Sequence, residues 1–255
     1  MIPYFTLTSF TVGPVHIQVW GLMVAIGILT AAYVGRHEAK RRGLDGERFL
    51  DLATWTVIAA LIGGRLVHVF AYDPAAYLAD PLRILKFWQG GMSITGGLLF
   101  GAATLIAYCW RTGLEWRDYA DVAAFVLPLG DGIGRIGCFL IHDHLGVSST
   151  SFLAVGFPDG PRLDHGLLNS LLGFLMFGLF LALAKLRPAL RRRGFLPLYL
   201  VIYGLGRFAL DFYRIWDPGI ADARYFYLTP AQYGCLIMVS AGIWLLLRQR
   251  RPAIG

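Results

Sequence analysis

The sequence has 255 residues, of which 56% are hydrophobic, and a formal net charge of +7 at pH 7. Its mean hydropathy of +0.58 is too high for an ordinary soluble domain and is typical of a protein whose helices lie in a bilayer. Most of the positively charged residues flank apolar segments, which is typical of residues that set the orientation of a membrane protein. Because the positive charge is explained in this way, we expect no nucleic-acid partner.

Seven segments are long and apolar enough to be membrane-spanning helices, which need about 20 residues each. They are residues 16–35, 50–72, 93–110, 119–141, 167–186, 196–213 and 231–248. The fourth segment is interrupted by Pro128 and four glycines. The predicted fold class is all-α: an integral membrane bundle of seven transmembrane helices, forming a single domain over residues 1–255. The long connection 142–166 is predicted to form a small head or lid on the outer face.

The basic residues predict the orientation, because cytoplasmic loops are rich in Lys and Arg. Of the 23 Lys and Arg residues, 15 lie at one set of helix ends, five at the other, and three within the segments. This distribution places the N-terminus outside and the C-terminus in the cytoplasm. The first residues lack a basic region and a small-residue cleavage site, so we expect no cleaved signal peptide.

Three arginines, Arg65, Arg135 and Arg207, lie inside apolar segments, each in the half that faces outside. A guanidinium group in hydrocarbon is costly, so it normally faces the interior of a bundle or a water-filled cavity. Three at similar depth predict one shared anionic ligand. A phospholipid head group is the first candidate, because the guanidinium fork matches phosphate oxygens.

Gly132, Gly134 and Gly137 of the fourth segment match the dinucleotide-binding pattern G-x-G-x-x-G. That pattern requires a preceding strand and a following helix, whereas here it lies inside a membrane segment. Glycines there favour close helix packing or a locally opened helix. Asp131 and Arg135 are four residues apart and share a helix face, so they either neutralise each other or serve a ligand.

The sixth segment carries Tyr203, Arg207 and Asp211 at intervals of four, followed by Arg214. This spacing places all four on one stripe of a helix. A polar contact that only holds helices together needs fewer charged groups than this stripe, which has a phenol, two guanidinium groups and a carboxylate. The stripe therefore predicts a functional surface facing the interior of the bundle.

A glycine-rich turn, from Gly90 to Gly97, precedes the third segment, with Ser93 and Thr95 at its centre. Such a turn can present backbone N–H groups to a phosphate at the start of a helix.

His142, Asp143, His144 and His165 cluster beyond the fourth segment. A metal site is conceivable there, but interfacial polar residues are the favoured interpretation, so no metal is predicted. The three cysteines lack metal-ligand spacing, and small buried apolar side chains are the favoured interpretation for them. They are Cys109, Cys138 and Cys235.

Together these motifs resemble the prolipoprotein diacylglyceryl transferase family, and the resemblance covers nearly the whole chain. The Gly-Arg-Ile-Gly-x-Phe stretch around Arg135 is similar to the signature of that family. Its Tyr-x3-Arg-x3-Glu-x2-Arg stripe is matched by Tyr203, Arg207, Asp211 and Arg214, with Asp for Glu. Further similar segments are Trp20-Gly21-Leu22-Met23, Gly63-Gly64-Arg65-Leu66 and Leu228-Thr229-Pro230-Ala231-Gln232.

The resemblance implies a reaction. The family transfers the sn-1,2-diacylglyceryl group of phosphatidylglycerol to the lipobox cysteine thiol of a bacterial prolipoprotein, and releases glycerol 1-phosphate. It implies no metal or nucleotide cofactor, and it implies location in the bacterial cytoplasmic (inner) membrane. The expected partners are therefore phosphatidylglycerol, the signal peptide of a prolipoprotein and the surrounding lipids.

The resemblance also implies residue roles. Arg135 and Arg207 would stabilise the departing phosphate, Tyr203 would donate to a phosphate or glycerol oxygen, and Asp143 takes the place of a family Glu. Asp211 would orient Arg207 or Arg214, and Arg65 would hold the head group or form a structural pair. The expected substrate-binding set is Arg65, Trp20, Ser93, Thr95, Gly96, Gly97, Asp131, Asp211 and Arg214.

The chain departs from the family pattern at four polar positions. Thr95 stands where the family has a histidine, Cys138 where it has Asn, and Trp20 where it has Tyr. The family sequence Leu-Tyr-Glu appears here as Leu167-Leu168-Asn169. The arginine set is kept. Threonine cannot act as a general base near neutral pH, so the activation of the acceptor thiol differs from that of the family.

Three interpretations follow. The first is a working transferase in which the histidine is dispensable or is replaced by His142, His144 or Asp143. The second is a paralogue with a different acceptor, motivated by Thr95 and Asn169. The third is a phospholipid-binding membrane protein without catalysis. The retained arginines favour the first.

Overall fold

The computed structural model describes residues 1–71, 74–86, 91–215 and 224–249. Each of the seven predicted apolar segments coincides with one long helix. The helices are α1 (Val19–Arg41), α2 (Gly46–Ala71), the short α3 (Pro74–Ala79), α4 (Ile94–Thr112), α5 (Trp116–Ile141), α6 (His165–Leu186), α7 (Phe195–Asp211) and α8 (Pro230–Gln249). Short 3-10 helices cover Pro81–Leu85 and Pro188–Arg191.

Five of these helices, α1, α2, α5, α6 and α8, are long and apolar enough to cross a membrane by length and composition. The length and composition of these helices confirm the prediction of a helical integral membrane protein. Helix α7 has 17 residues and, like α4, falls outside this set of five.

Six short strands were not predicted. They are β1 (Ile2–Pro3), β2 (Ser9–Val12), β3 (Val15–Gln18), β4 (Leu145–Ser148), β5 (Val155–Phe157) and β6 (Gly160–Asp164). Strands β2 and β3 form a hairpin, and the other four form a sheet in the order β1-β5-β6-β4. The connection predicted as a head or lid therefore folds mainly as a small sheet, completed by the N-terminal strand β1, which pairs parallel to β5.

Backbone contacts divide the chain into two compact units, Met1–Gly35 with Asp121–Gly255, and Arg36–Ala120. In the second unit, α2 and α4 pack closely through glycines. A Cβ atom at Gly97 would lie 3.4 Å from the carbonyl oxygen of Ala60, and one at Gly96 would collide with the carbonyl of Gly63. Close approach of two membrane helices is the usual role of such small residues.

In the first unit, the glycines of α5 serve the same purpose. A Cβ atom at Gly137 would lie 3.1 Å from Cα of Trp20, and one at Gly132 would lie 3.3 Å from the carbonyl oxygen of Ser170. The helix is continuous from Trp116 to Ile141. The G-x-G-x-x-G pattern is therefore a packing surface and not a nucleotide-binding site, as predicted from the sequence.

The small sheet is fixed to the helices by His142 and Asp164. His142 Nδ1 lies 2.8 Å from Asp164 Oδ2, and His142 Nε2 lies 2.8 Å from the carbonyl oxygen of Phe5. The other carboxylate oxygen of Asp164 accepts a hydrogen bond of 2.9 Å from the Leu167 N–H and so caps α6. Burial raises the pKa of the Asp164 carboxyl, and these hydrogen bonds oppose that shift.

Replacing Asp164 with alanine should lower the free energy of unfolding by about 2 kcal/mol, because α6 loses its N-cap and buried His142 loses a partner. Thermal unfolding in detergent measures the change. Asp159→Ala is the matched control, since it removes an exposed carboxylate from the connection between β5 and β6 and should have little effect. Equal shifts in both variants would contradict the anchoring role.

Candidate functional site

Helices α5 and α7 bring two of the predicted arginines to one tyrosine. The Arg135 Nε atom donates to Asp131 Oδ1 over 3.3 Å, one helical turn away. The Tyr203 side chain interacts electrostatically with both Arg135 and Arg207. The phenol and the two guanidinium groups are hydrogen-bond donors, and such a set suits an anion with several oxygens.

Arg207 is held by a buried network at the start of α8. Its Nη1 atom donates to Asp211 Oδ1 over 2.7 Å. The other Asp211 oxygen accepts a hydrogen bond from the Thr229 hydroxyl, and Asp211 is fully buried. Of the two alternatives in the sequence analysis, the geometry therefore favours Asp211 as the residue that orients Arg207.

Thr229 and Gln232 have a positioning role that was not predicted from the sequence. The Gln232 N–H donates to Thr229 Oγ1 over 3.2 Å, and the Thr229 N–H donates to Gln232 Oε1 over 3.0 Å. This is a capping box, and its S/T-x-x-E/Q signal is visible as Thr229-Pro230-Ala231-Gln232. The box fixes the hydroxyl that contacts Asp211.

Arg214, the last residue of the stripe, points to the segment that follows α5. Its Nη2 atom lies 3.1 Å from His144 Nδ1, and its backbone pairs with Gly146. The stripe is thus divided between two contacts, Arg207 with Asp211 and Arg214 with His144.

Cys138, Asp143 and His144 bring one potential ligand atom each to within 4.8 Å of one another at the end of α5. Thiolate, carboxylate and imidazole are all zinc ligands. However, Arg135 lies beside the thiol, and Arg214 contacts the imidazole. Two guanidinium groups oppose a bound cation at this place, so the geometry favours an interface with an anionic substrate over a metal centre.

In the Arg36–Ala120 unit, Arg65 is buried and surrounded by main-chain carbonyl groups. Its Nε donates to Ile84 over 3.0 Å, its Nη1 to Gly91 over 2.9 Å, and its Nη2 to Arg83 and Lys86. The guanidinium group therefore holds the connection between α2 and α4 in place. This geometry favours the structural alternative for Arg65.

The glycine-rich turn of the same unit starts α4. Ser93 is its N-cap, with its hydroxyl 3.4 Å from the Gly96 N–H, and the Gly97 N–H donates to the Ser93 carbonyl over 3.1 Å. Thr95 is exposed, and Gly90 lies outside the described residues. Because the N–H groups of Gly96 and Gly97 already have acceptors, these glycines are better explained by packing against α2 than by phosphate binding.

Comparison with known proteins decides the family. The family model described as prolipoprotein diacylglyceryl transferase matches residues 8–248. The chain belongs to that family. Among similar curated proteins named phosphatidylglycerol–prolipoprotein diacylglyceryl transferase, one from Nitratidesulfovibrio vulgaris is 33% identical, over 99% of this chain and 97% of its own. One from Solidesulfovibrio magneticus is 34% identical over 97% and 96%, and one from Ectopseudomonas mendocina is 33% identical over 100% and 99%.

Two of the departures from the prolipoprotein diacylglyceryl transferase pattern are neighbours in space. The Trp20 side chain contacts the Cys138 thiol, which also contacts Arg135. Both departures therefore lie in one cluster of contacts that also includes the Arg135 guanidinium group.

Proposed function

We propose that this protein transfers the sn-1,2-diacylglyceryl group of phosphatidylglycerol to the lipobox cysteine thiol of bacterial prolipoproteins. The names of relatives that align over almost the whole chain support this activity. The observation that carries the proposal is the arrangement of Arg135, Tyr203 and Arg207, which offers a donor-rich surface for a phosphate group.

The geometry supports the chemistry as follows. The acceptor thiol releases its proton to solvent, and the thiolate attacks the sn-3 carbon of the diacylglyceryl group. The bond between that carbon and the phosphate oxygen breaks, and glycerol 1-phosphate leaves. Negative charge grows on the departing phosphate, so preorganised guanidinium groups stabilise the transition state more than the ground state. Arg135 and Arg207 fill this role, and Tyr203 donates to a phosphate or glycerol oxygen.

The other predicted site residues support these three. Asp131 and Asp211 orient Arg135 and Arg207 through the contacts described above. Asp143 lies beside His144 at the end of α5, with Asp143 Oδ2 3.8 Å from His144 Nε2, and in this proposal it acts on the acceptor side of the site. The remaining substrate contacts in this proposal come from Trp20 and Arg214.

The proposed setting is the bacterial cytoplasmic membrane. The seven long helices of the described chain each cross the bilayer in this proposal, with the N-terminus outside and the C-terminus in the cytoplasm. The excess of Lys and Arg at one set of helix ends supports that orientation. The site residues at the ends of α5 and α7 then lie on the outer side, and the small sheet of 142–166 is a head or lid above them.

Incubation of the purified protein with phosphatidylglycerol and a lipobox peptide tests the activity. Mass spectrometry should find the peptide increased by one diacylglyceryl group, with glycerol phosphate released in equal amount. No adduct, under conditions in which a relative with histidine at the Thr95 position forms one, would contradict the proposal. Release of glycerol phosphate with another acceptor would identify a paralogue, and lipid binding without release would identify a non-catalytic protein.

A further inference from the structure

Two buried polar side chains at the start of α6 have polar atoms without hydrogen-bond partners. His165 and Asn169 are each 2% exposed. Among the described residues, Asn169 Oδ1 and the two ring nitrogens of His165 complete no hydrogen bond of normal geometry, and the Tyr213 backbone interacts weakly with the ring. Buried polar atoms in native proteins are nearly always satisfied, so a group of three points to something that binds there.

The unsatisfied atoms of His165 and Asn169 lie on one face of the helix. The residues are four apart, which places them one turn from each other on the same side of α6. Asn169 Nδ2 donates to the His165 carbonyl over 2.7 Å, which fixes the amide and leaves its oxygen for another partner. A Cβ atom at the intervening Gly166 would lie 2.7 Å from the carbonyl carbon of Cys138. This part of α6 is therefore held tightly against the end of α5.

The surroundings of the His165 ring indicate what charge a ligand can carry. The ring interacts electrostatically with Arg207, Arg214 and Asp211. Asp211 is already engaged by Arg207 and by the Thr229 hydroxyl. A cationic group placed beside the ring would meet two guanidinium groups and be repelled. A neutral ligand avoids this repulsion.

The donors and acceptors match hydroxyl groups. A neutral imidazole offers one N–H donor and one acceptor nitrogen, and an amide oxygen offers an acceptor. A hydroxyl group both donates and accepts, so two neighbouring hydroxyls can satisfy Asn169 Oδ1 and the His165 nitrogen that the Tyr213 backbone does not engage. The terminal glycerol of phosphatidylglycerol carries two such hydroxyls close to its phosphate.

We propose that His165 and Asn169 bind the hydroxyl groups of the terminal glycerol of the lipid donor and so select its head group. This inference rests on the proposed function, in which the phosphate lies against Arg207 beside the His165 ring. The subsite discriminates against ethanolamine head groups by charge and against alkyl head groups by their lack of hydroxyls. It separates head-group recognition, at the start of α6, from stabilisation of the phosphate by the arginines.

The test compares phosphatidylglycerol with phosphatidylpropanol of the same acyl chains, whose head group has three carbons and no hydroxyl. Wild-type protein should prefer phosphatidylglycerol by about tenfold or more in kcat/KM, because the analogue leaves the subsite atoms unpaired. Asn169→Leu and His165→Leu should each reduce that ratio by about three- to tenfold, mainly through a slower reaction with phosphatidylglycerol.

Ser170→Ala is the matched control. Ser170 is also buried, but its hydroxyl donates to the Gly132 carbonyl over 2.8 Å, so its loss should leave the lipid ratio unchanged. An absence of preference in the wild type, or equal losses with both lipids in the Asn169 and His165 variants, would overturn the proposal. The comparison of the two lipids with wild-type protein can overturn the proposal even where a variant fails to fold.

Competition between the two lipids for binding, measured by native mass spectrometry, separates this inference from the proposed function. A preference for phosphatidylglycerol in binding, lost in Asn169→Leu, would support the subsite even if no thioether is formed with any lipid. Thioether formation with equal binding and equal turnover of both lipids would support the transferase and refute the subsite. A change confined to the KM of the peptide would assign the two residues to the acceptor and also refute it.

Discussion

Arg135→Ala should reduce kcat/KM for thioether formation by about a hundredfold to a thousandfold, the usual loss on removing one preorganised donor to a developing oxyanion. Arg207→Ala should have an effect of the same order. The reason is the arrangement in which both guanidinium groups interact with Tyr203 and face the departing phosphate in the proposed reaction. Release of glycerol phosphate, followed with matched lipid and peptide concentrations, measures the loss.

Two further variants make the Arg135 experiment specific. Arg135→Lys keeps the positive charge but not the planar fork, so it should recover only part of the activity. Arg162→Ala removes an arginine that pairs with Asp159 in the small sheet and should retain nearly full activity. A loss in Arg162→Ala as large as in Arg135→Ala would show that general surface charge, and not the site arrangement, governs turnover.

Arg65→Met should lower the free energy of unfolding by about 3 kcal/mol or more, because it removes a buried charged donor and strands several carbonyl groups. The carbonyls of Arg83, Ile84, Lys86 and Gly91 would all lose a donor. The thermal midpoint in detergent and the yield of folded protein should both fall.

Arg83→Met is the matched control for the Arg65 variant. It removes the same charge from an exposed side chain and leaves the Arg83 carbonyl in place for Arg65, so the thermal midpoint should change little. If Arg65→Met kept its stability and instead raised the KM for phosphatidylglycerol, Arg65 would belong to the substrate site, as the sequence analysis first expected.

The contrast between Arg65 and Arg135 marks the limit of what the sequence could predict. Both were recognised by their charge inside an apolar segment. Only the fold distinguishes them, because the carbonyl groups that engage Arg65 belong to residues 83, 84, 86 and 91, and the backbone direction of these residues has no sequence signal. The pairing of Arg207 with Asp211, in contrast, follows from a spacing of four on a helix.

Helix boundaries show a similar limit. The first apolar segment was predicted to end at residue 35, whereas α1 continues to Arg41. The hydropathy signal stops at the first charges, but Glu38 accepts a hydrogen bond of 3.0 Å from Arg42, and both side chains are buried. Paired charges can thus extend a helix beyond its apolar part. The strands were not predicted because runs of two to five mixed residues give no periodic pattern.

The contact of Asp211 with Thr229 has a consequence for biogenesis. The chain is made from its N-terminus, so α7 and Arg207 emerge before the residues that cap α8. Until Thr229 and Gln232 arrive, Asp211 lacks the hydroxyl that helps to hold it toward Arg207. A nascent or truncated chain that stops before α8 would therefore carry the Arg207–Asp211 pair without the hydroxyl that supports it. Insertion of the last helix is thus the step that completes the network around Arg207.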